Sequence, residues 1–224
     1  IGAVNAVAFD ISAACAGFIF AMNIVEGFFK AGIYKTALII GAETLSKVTD
    51  WSDRGTCVLF GDGAGAAVLK AEETGIIDMM MGADGTKGDV LACTSRTVGN
   101  FLTGTKPELG FMTMDGQEVF KFAVRKVPES VMELLQRTGT KKEDIKYYVL
   151  HQANERIIEA AARRLKEPME KFPMTIGQFG NTSTASIPLL LDDMIQKDML
   201  KRGDKIIMSG FGAGMTWGAV LMEW

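Results

Sequence analysis

Two stretches of this 224-residue chain follow one plan, and that repetition restricts the available folds more than any other feature. The first runs from Asp10-Ile-Ser-Ala-Ala-Cys15 through an apolar helical stretch and a glycine to Ile39-Ile40-Gly41-Ala42. The second runs from Asn181-Thr-Ser-Thr-Ala-Ser186 to Ile206-Ile207-Met208-Ser209-Gly210. Both helices stop in similar strings, Ala31-Gly-Ile-Tyr-Lys35 and Lys201-Arg-Gly-Asp-Lys205. A glycine-rich segment follows in each, from Phe60 to Leu69 and from Phe211 to Leu221, and reads as a tight turn between strands. Aligning Asp10 with Asn181 gives an offset of 171 residues. Such self-similarity argues for two related α/β halves, with chance likeness between two ordinary strand–helix–strand units as the alternative.

The rest of the pattern alternates strand and helix. Strands are predicted at residues 4–10, 36–42, 66–70, 76–82, 147–150, 205–209 and 217–224. Helices are predicted at 15–31, 115–138 (with Pro128 inside), 155–166 and 186–200, and residues 84–110 read as loop with short strands. The halves are expected to divide as 1–110 and 111–224. The second copy carries elements at 115–166 with no counterpart ahead of Asp10, so a preceding segment is expected.

Composition removes several classes of function. Net charge is 24 − 27 = −3, giving no general pull toward nucleic acid. The apolar stretch at 17–25 ends at Glu26, well short of the ~20 residues a membrane span needs. Cys15, Cys57 and Cys93 form neither a metal motif nor an even disulfide set, which favours a reducing, cytoplasmic setting. One histidine, His151, rules out a multi-histidine metal site and is the sole imidazole for catalysis.

Cys15 falls where a strand should turn into a helix. Unpaired N–H groups and the positive end of the helix dipole would favour its thiolate there, making it a candidate nucleophile. A small buried core cysteine is the plainer reading. His151 ends a strand, where α/β folds bind ligands, and is followed by Gln152-Ala153-Asn154. Asn181 suits either a cap or a site residue. In the duplicated arrangement Cys15 and Asn181 begin equivalent units and face one shared site. Backbone N–H groups of the second glycine turn could form half of an oxyanion hole. Lys121, Arg125, Arg156, Arg163 and Arg164 fall on two helices, as solvated faces or as a patch for an acidic partner.

Five strings in order carry a family resemblance: 10–18, 53–67, 151–158, 180–188 and 210–218. Together they closely resemble β-ketoacyl-acyl-carrier-protein synthase III. The resemblance implies a thiolase-like, duplicated α-β-α-β-α layered fold, here with an incomplete N-terminal half, and a homodimer. It implies an acyltransferase that starts fatty-acid synthesis by decarboxylative Claisen condensation of an acyl-CoA primer with malonyl-acyl-carrier protein through an acyl-cysteine. The CoA thioester is substrate, with no separate cofactor and no metal. Alternatives are a polyketide-type synthase of the same fold or a non-catalytic fragment. By the same resemblance Cys15 is the nucleophile, and His151 and Asn181 stabilise the malonyl thioester oxygen. The N–H groups of Cys15 and Ala213 hold the oxyanion, Ala213 standing where the family commonly has glycine. Arg54 lies near the CoA adenine. Met112, Met114, Gly116, Phe120, Ala153, Asn154 and Phe211 line the substrate tunnel and acyl pocket. Lys121, Arg156, Arg163 and Arg164 form the carrier-protein docking face.

Overall fold

The computed structural model describes residues 1–93, 99–106 and 110–224, so parts of the expected 84–110 loop lie outside the described residues. A short 3-10 turn at Ala14–Ala16 leads into α1 (Gly17–Lys30), then β1 (Thr36–Glu43), β2 (Gly63–Lys70), β3 (Ile76–Ala83), β4 (Leu91–Cys93) and β5 (Met112–Met114). There follow α2 (Gly116–Thr138), β6 (Ile145–Leu150), α3 (Glu155–Leu165), α4 (Ile176–Phe179), α5 (Ser186–Gln196), β7 (Lys205–Gly212) and β8 (Thr216–Glu223). A matching 3-10 turn, Ser183–Ala185, precedes α5 as Ala14–Ala16 precedes α1.

The repeat is present in three dimensions, with a different register. The two 3-10 turns start at 14 and 183, the helices after them at 17 and 186, and the strands after those at 36 and 205. Each pair is 169 residues apart, so the 171 offset from matching Asp10 to Asn181 is two residues too long. Backbone geometry agrees: Ala14 and Ser183, one offset apart, both have positive φ, 46° and 52°. In this register Cys15 corresponds to Thr184, not to Ser186 as the 171 offset would have it. The sequence match was drawn by chemically similar small residues; the register is set by where each chain leaves its turn to start a helix.

The layers stack as helix, sheet, helix, sheet. A four-stranded sheet runs β3-β8-β7-β6, with β6 parallel to β7 and the other pairs antiparallel. One face packs on α2 and α3 through Phe122, Val131, Leu134, Ile158 and Leu165. The other packs on α1 and α5 through Phe18, Ile19, Met22, Ile187, Leu190 and Met194. Truncating one such fully buried side chain to alanine costs about 2–5 kcal/mol. The antiparallel pair β1–β2 covers the far side of these helices. Alternation along β1 turns Ile39 inward and Leu38 and Ile40 outward.

Two expectations need correction. Residues 4–10 form no strand: no ladder satisfies their backbone, and Val4 and Val7 are exposed. An apolar run becomes a strand only beside a neighbour that pairs with it. The first glycine run is not a tight turn between strands. Gly63 and Gly65 lie within β2, where a Cβ on Gly65 would come 2.9 Å from Pro188 at the start of α5. The second run is such a turn, joining β7 to β8. In addition, β3 precedes residue 111 yet pairs with β8 in the second half's sheet.

Pro128 sits inside α2 and offers no N–H to the carbonyl four residues back. That carbonyl belongs to Val124, and the Arg164 guanidinium on α3 donates to it at 2.7 Å. An interhelical bond thus replaces the missing intrahelical one.

Candidate active site

Cys15, His151 and Asn181 come from three separate elements and meet where the two pseudo-equivalent units abut. The Thr184 hydroxyl donates to the Ala14 carbonyl at 2.7 Å, joining the two 3-10 turns directly. Gly210 of β7 lies between the other two groups: a Cβ there would meet the Cys15 carbonyl oxygen at 3.5 Å and His151 Cβ at 3.6 Å. On the opposite side of the pseudo-repeat, Gly41 approaches the Thr184 carbonyl as Gly210 approaches that of Cys15. Asn181 Oδ1 accepts the Ser183 N–H at 2.9 Å, and the Ser183 hydroxyl, which neighbours the Cys15 thiol, donates to the Glu43 carboxylate at 3.1 Å. All three candidate side chains are buried.

The Cys15 environment does not favour a thiolate. Burial pushes its pKa up to about 11; the Ser183 hydrogen bond opposes this and the Glu43 carboxylate adds to it. The expected lowering by the helix end is overturned for a physical reason. Cys15 lies in a 3-10 turn two residues ahead of α1, and desolvation outweighs any dipole at that distance. Cys15 therefore rests as a thiol. Alkylation of Cys15 by iodoacetamide, followed by peptide mapping, is expected to accelerate about tenfold per pH unit from pH 7 to 10. A plateau reached below pH 8 would contradict the raised value.

Burial alone pushes His151 down to about 3, so its imidazole is neutral at physiological pH. Nδ1 lies 2.6 Å from the Ser186 hydroxyl, and the ring meets Phe211 edge-on at 5.4 Å. The backbone N–H of His151 donates to the Ser209 carbonyl, holding the residue at the end of β6 beside β7. Among the described residues no hydrogen bond engages His151 Nε2 or Asn181 Nδ2. These are two polar atoms with capacity left for a ligand.

The β7–β8 turn lies against the nucleophile's backbone. A Cβ on Gly212 would stand 2.6 Å from the Cys15 nitrogen, so only glycine lets this strand approach. Ala213 follows directly in that turn, and the Thr216 hydroxyl donates to the Ala213 carbonyl at 3.1 Å.

The remaining candidates spread outward. Met112 and Met114 lie in β5, half-buried against the α2 side of the core with Ala153 and Ala213. Gly116 opens α2, and Phe120 on the same helix is exposed. Asn154 caps α3, its side-chain oxygen accepting the Arg156 N–H at 2.9 Å. Arg54 is exposed in the 44–62 loop. Lys121, Arg156, Arg163 and Arg164 are exposed on α2 and α3; Lys121 pairs with Glu118 and Arg163 with Glu159. Sequence reasoning missed Glu43, Ser183 and Ser186. Small hydroxylated residues near helix starts read as caps, and nothing in the chain marks which of them faces a partner 35 or more residues away.

A duplicated, layered α/β fold with buried cysteine, histidine and asparagine at the junction of its two units defines a class: thiolase-like condensing enzymes of the acyltransferase type. The profile described as 3-Oxoacyl-[acyl-carrier-protein (ACP)] synthase III matches residues 9–85, and its C-terminal companion matches 135–224. The chain belongs to the 3-oxoacyl-acyl-carrier-protein synthase III family. It is 51% identical to beta-ketoacyl-[acyl-carrier-protein] synthase III of Clostridium acetobutylicum over 226 residues, covering 100% of this chain and 70% of that protein. The crystal structure of the synthase III of Aquifex aeolicus matches with TM-score 0.89 at 44% identity, covering 98% of this chain and 68% of that one. The Pseudomonas aeruginosa structure matches with TM-score 0.92 at 38% identity, with the same coverage. Among the described residues no helix is long and apolar enough to cross a membrane.

Proposed function

We propose that the chain starts fatty-acid synthesis by condensing an acyl-CoA primer with malonyl-acyl-carrier protein, using Cys15, His151 and Asn181. The observation that carries this reading is their placement around Gly210 and Ser183, with His151 Nε2 and Asn181 Nδ2 both unengaged among the described residues. Relatives at 44–52% identity bear the synthase name, which supports the same choice over a polyketide-type enzyme or an inert fragment.

In the first step the Cys15 sulfur attacks the acyl-CoA carbonyl and the C–S bond to CoA breaks. The thiol proton leaves with the CoA thiolate, so the exchange creates no net charge, which suits a buried thiol of raised pKa. The N–H groups of Cys15 and Ala213 stabilise the transient oxyanion. In the second step malonyl-acyl-carrier protein loses CO₂. The electron pair of the broken C–C bond forms an enolate whose thioester oxygen accepts hydrogen bonds from His151 and Asn181. The enolate carbon then attacks the acyl-Cys15 carbonyl, and the Cys15 sulfur leaves as a thiolate that takes a proton from water to restore the resting thiol. Neutral imidazole suits this role, since it donates without first surrendering a charge.

Met112, Met114, Gly116, Phe120, Ala153, Asn154 and Phe211 line the tunnel and acyl pocket in this reading, and Arg54 meets the CoA adenine. Lys121, Arg156, Arg163 and Arg164 receive the acidic carrier protein, although Arg164 also holds the Val124 carbonyl. A cytoplasmic homodimer fits the family. The halves divide as 1–110 and 111–224 in this reading, with β3 of the first pairing with β8 of the second. The test is a condensation assay with acetyl-CoA as primer and either malonyl-carrier protein or malonyl-CoA as extender. A β-ketoacyl-carrier-protein product, with at least tenfold preference for the carrier-bound extender, is expected. Equal use of malonyl-CoA would favour the polyketide-type reading.

A further inference from the structure

We propose that Ser186 is a positioning residue that fixes His151 as its Nε2–H tautomer. The proposal rests on the reading above, in which His151 donates a hydrogen bond to the malonyl thioester oxygen. It adds the group that makes this donation possible.

Proton accounting carries the argument. A serine hydroxyl has one proton to give and two lone pairs to accept with. The Ser186 oxygen already accepts the backbone N–H of Gln152 at 3.3 Å. Its other hydrogen bond, at 2.6 Å, is to His151 Nδ1. Among the described residues Nδ1 is the only acceptor within reach of the Ser186 proton. Were Nδ1 itself protonated, the hydroxyl would accept twice and its own proton would be buried without a partner, a costly arrangement. Donation from Ser186 to Nδ1 satisfies every group and leaves the imidazole proton on Nε2.

The surroundings hold this arrangement in place. Ser186 is the first residue of α5, its χ1 freedom limited by full burial. Gln152, the residue after His151, is clamped at both ends of its amide. Its Nε2 donates to the Leu150 carbonyl at 2.8 Å and its Oε1 accepts the Thr175 N–H at 2.9 Å. The Gln152 N–H therefore points reliably at Ser186 and occupies one lone pair. The device joins the end of β6 to the start of α5, the two elements that supply His151 and follow Asn181. It gives a reason for Ser rather than Ala at a buried helix position where Ala is otherwise the better helix former.

Because His151 is the single histidine of the chain, its tautomer can be read without assignment ambiguity by ¹⁵N NMR of the histidine-labelled protein. The expected result at pH 7 is a neutral ring with Nε2 protonated and Nδ1 unprotonated. A wild-type ring protonated on Nδ1 would overturn the proposal, and this reading needs no variant. In Ser186→Ala the tautomer preference should weaken. Turnover of malonyl-carrier protein should fall about 10- to 100-fold, by analogy with the range for outer-shell partners of metal-ligating histidines. Acylation of Cys15 by acetyl-CoA should stay within about twofold, which separates lost positioning from misfolding. Ser186→Thr, which keeps the hydroxyl, should restore both the tautomer and most of the turnover. Unchanged turnover in Ser186→Ala would overturn the proposal. If His151→Ala itself leaves condensation intact, the assigned role of His151 fails as well. If His151→Ala abolishes condensation while Ser186→Ala does not, the fault lies with Ser186 alone.

Discussion

Cys15→Ala is expected to lower condensation turnover on the order of 10⁴-fold or more, because it removes the one thiol that the described residues place beside Gly210 and Gly212. Cys57 is only half-buried and Cys93 is exposed; neither borders Gly210, Ser183 or the β7–β8 turn in the contacts described. The variant should fold, since alanine fills most of the space of a small buried thiol. The loss should lie entirely in acyl transfer. Malonyl-carrier protein should still be decarboxylated slowly, because the two donors that stabilise the enolate remain. Steady-state assay of β-ketoacyl product, beside a CO₂-release assay without primer, checks both halves. Turnover within tenfold of wild type would place the nucleophile elsewhere.

His151→Ala and Asn181→Ala are expected to show the opposite division. Each removes one donor to the thioester oxygen, and loss of one such donor costs about 10²–10³ in rate. Self-acylation by acyl-CoA should persist in both variants, since the acyl-transfer oxyanion is held by backbone N–H groups. The effects should be less than additive in the double variant, because the two donors act on a single oxygen. Asn181→Ala carries an extra risk of local disorder: Asn181 Oδ1 holds the Ser183 N–H, and Ser183 has a strained positive φ. Asn181→Asp keeps that acceptor while removing the donor, so it isolates the chemical loss. Rates of the two half-reactions, measured separately by rapid quench, decide the point. Equal loss in both half-reactions would indicate a collapsed site rather than a missing donor.

Much of the architecture was legible because it repeats. Apolar helices followed by a glycine and a β-branched strand mark α1–β1 and α5–β7, and the structure finds both units with strands paired antiparallel to β2 and β8. Periodicity located α2 and α3 to within a residue of their observed bounds. The failures have local causes. Residues 4–10 have strand composition but no pairing neighbour among the described residues. The first glycine run looked like its counterpart in the second half, yet its glycines are required by contact with α5 rather than by a turn. The 171-residue alignment matched similar letters, while positive φ at Ala14 and Ser183 and the starts of the helices fix 169.

At the site, residue types with unusual chemistry were readable and their supporting groups were not. One histidine and one cysteine in a distinctive string stand out in any sequence. The state of that cysteine did not, because its position ahead of a helix suggests a low pKa while burial sets a high one. Ser186 and Glu43 act through contacts spanning 35 and 140 residues of chain, which no local pattern encodes.

The central claim is that Cys15 is acylated and stands in one site with His151 and Asn181. Intact-mass spectrometry of the purified protein after incubation with acetyl-CoA, with digestion to locate the adduct, tests it most directly. A single added acetyl group on the Cys15 peptide, lost when malonyl-carrier protein is added, is the predicted result. An acetyl group on Cys57 or Cys93, or one on Cys15 that malonyl-carrier protein fails to discharge, would contradict it.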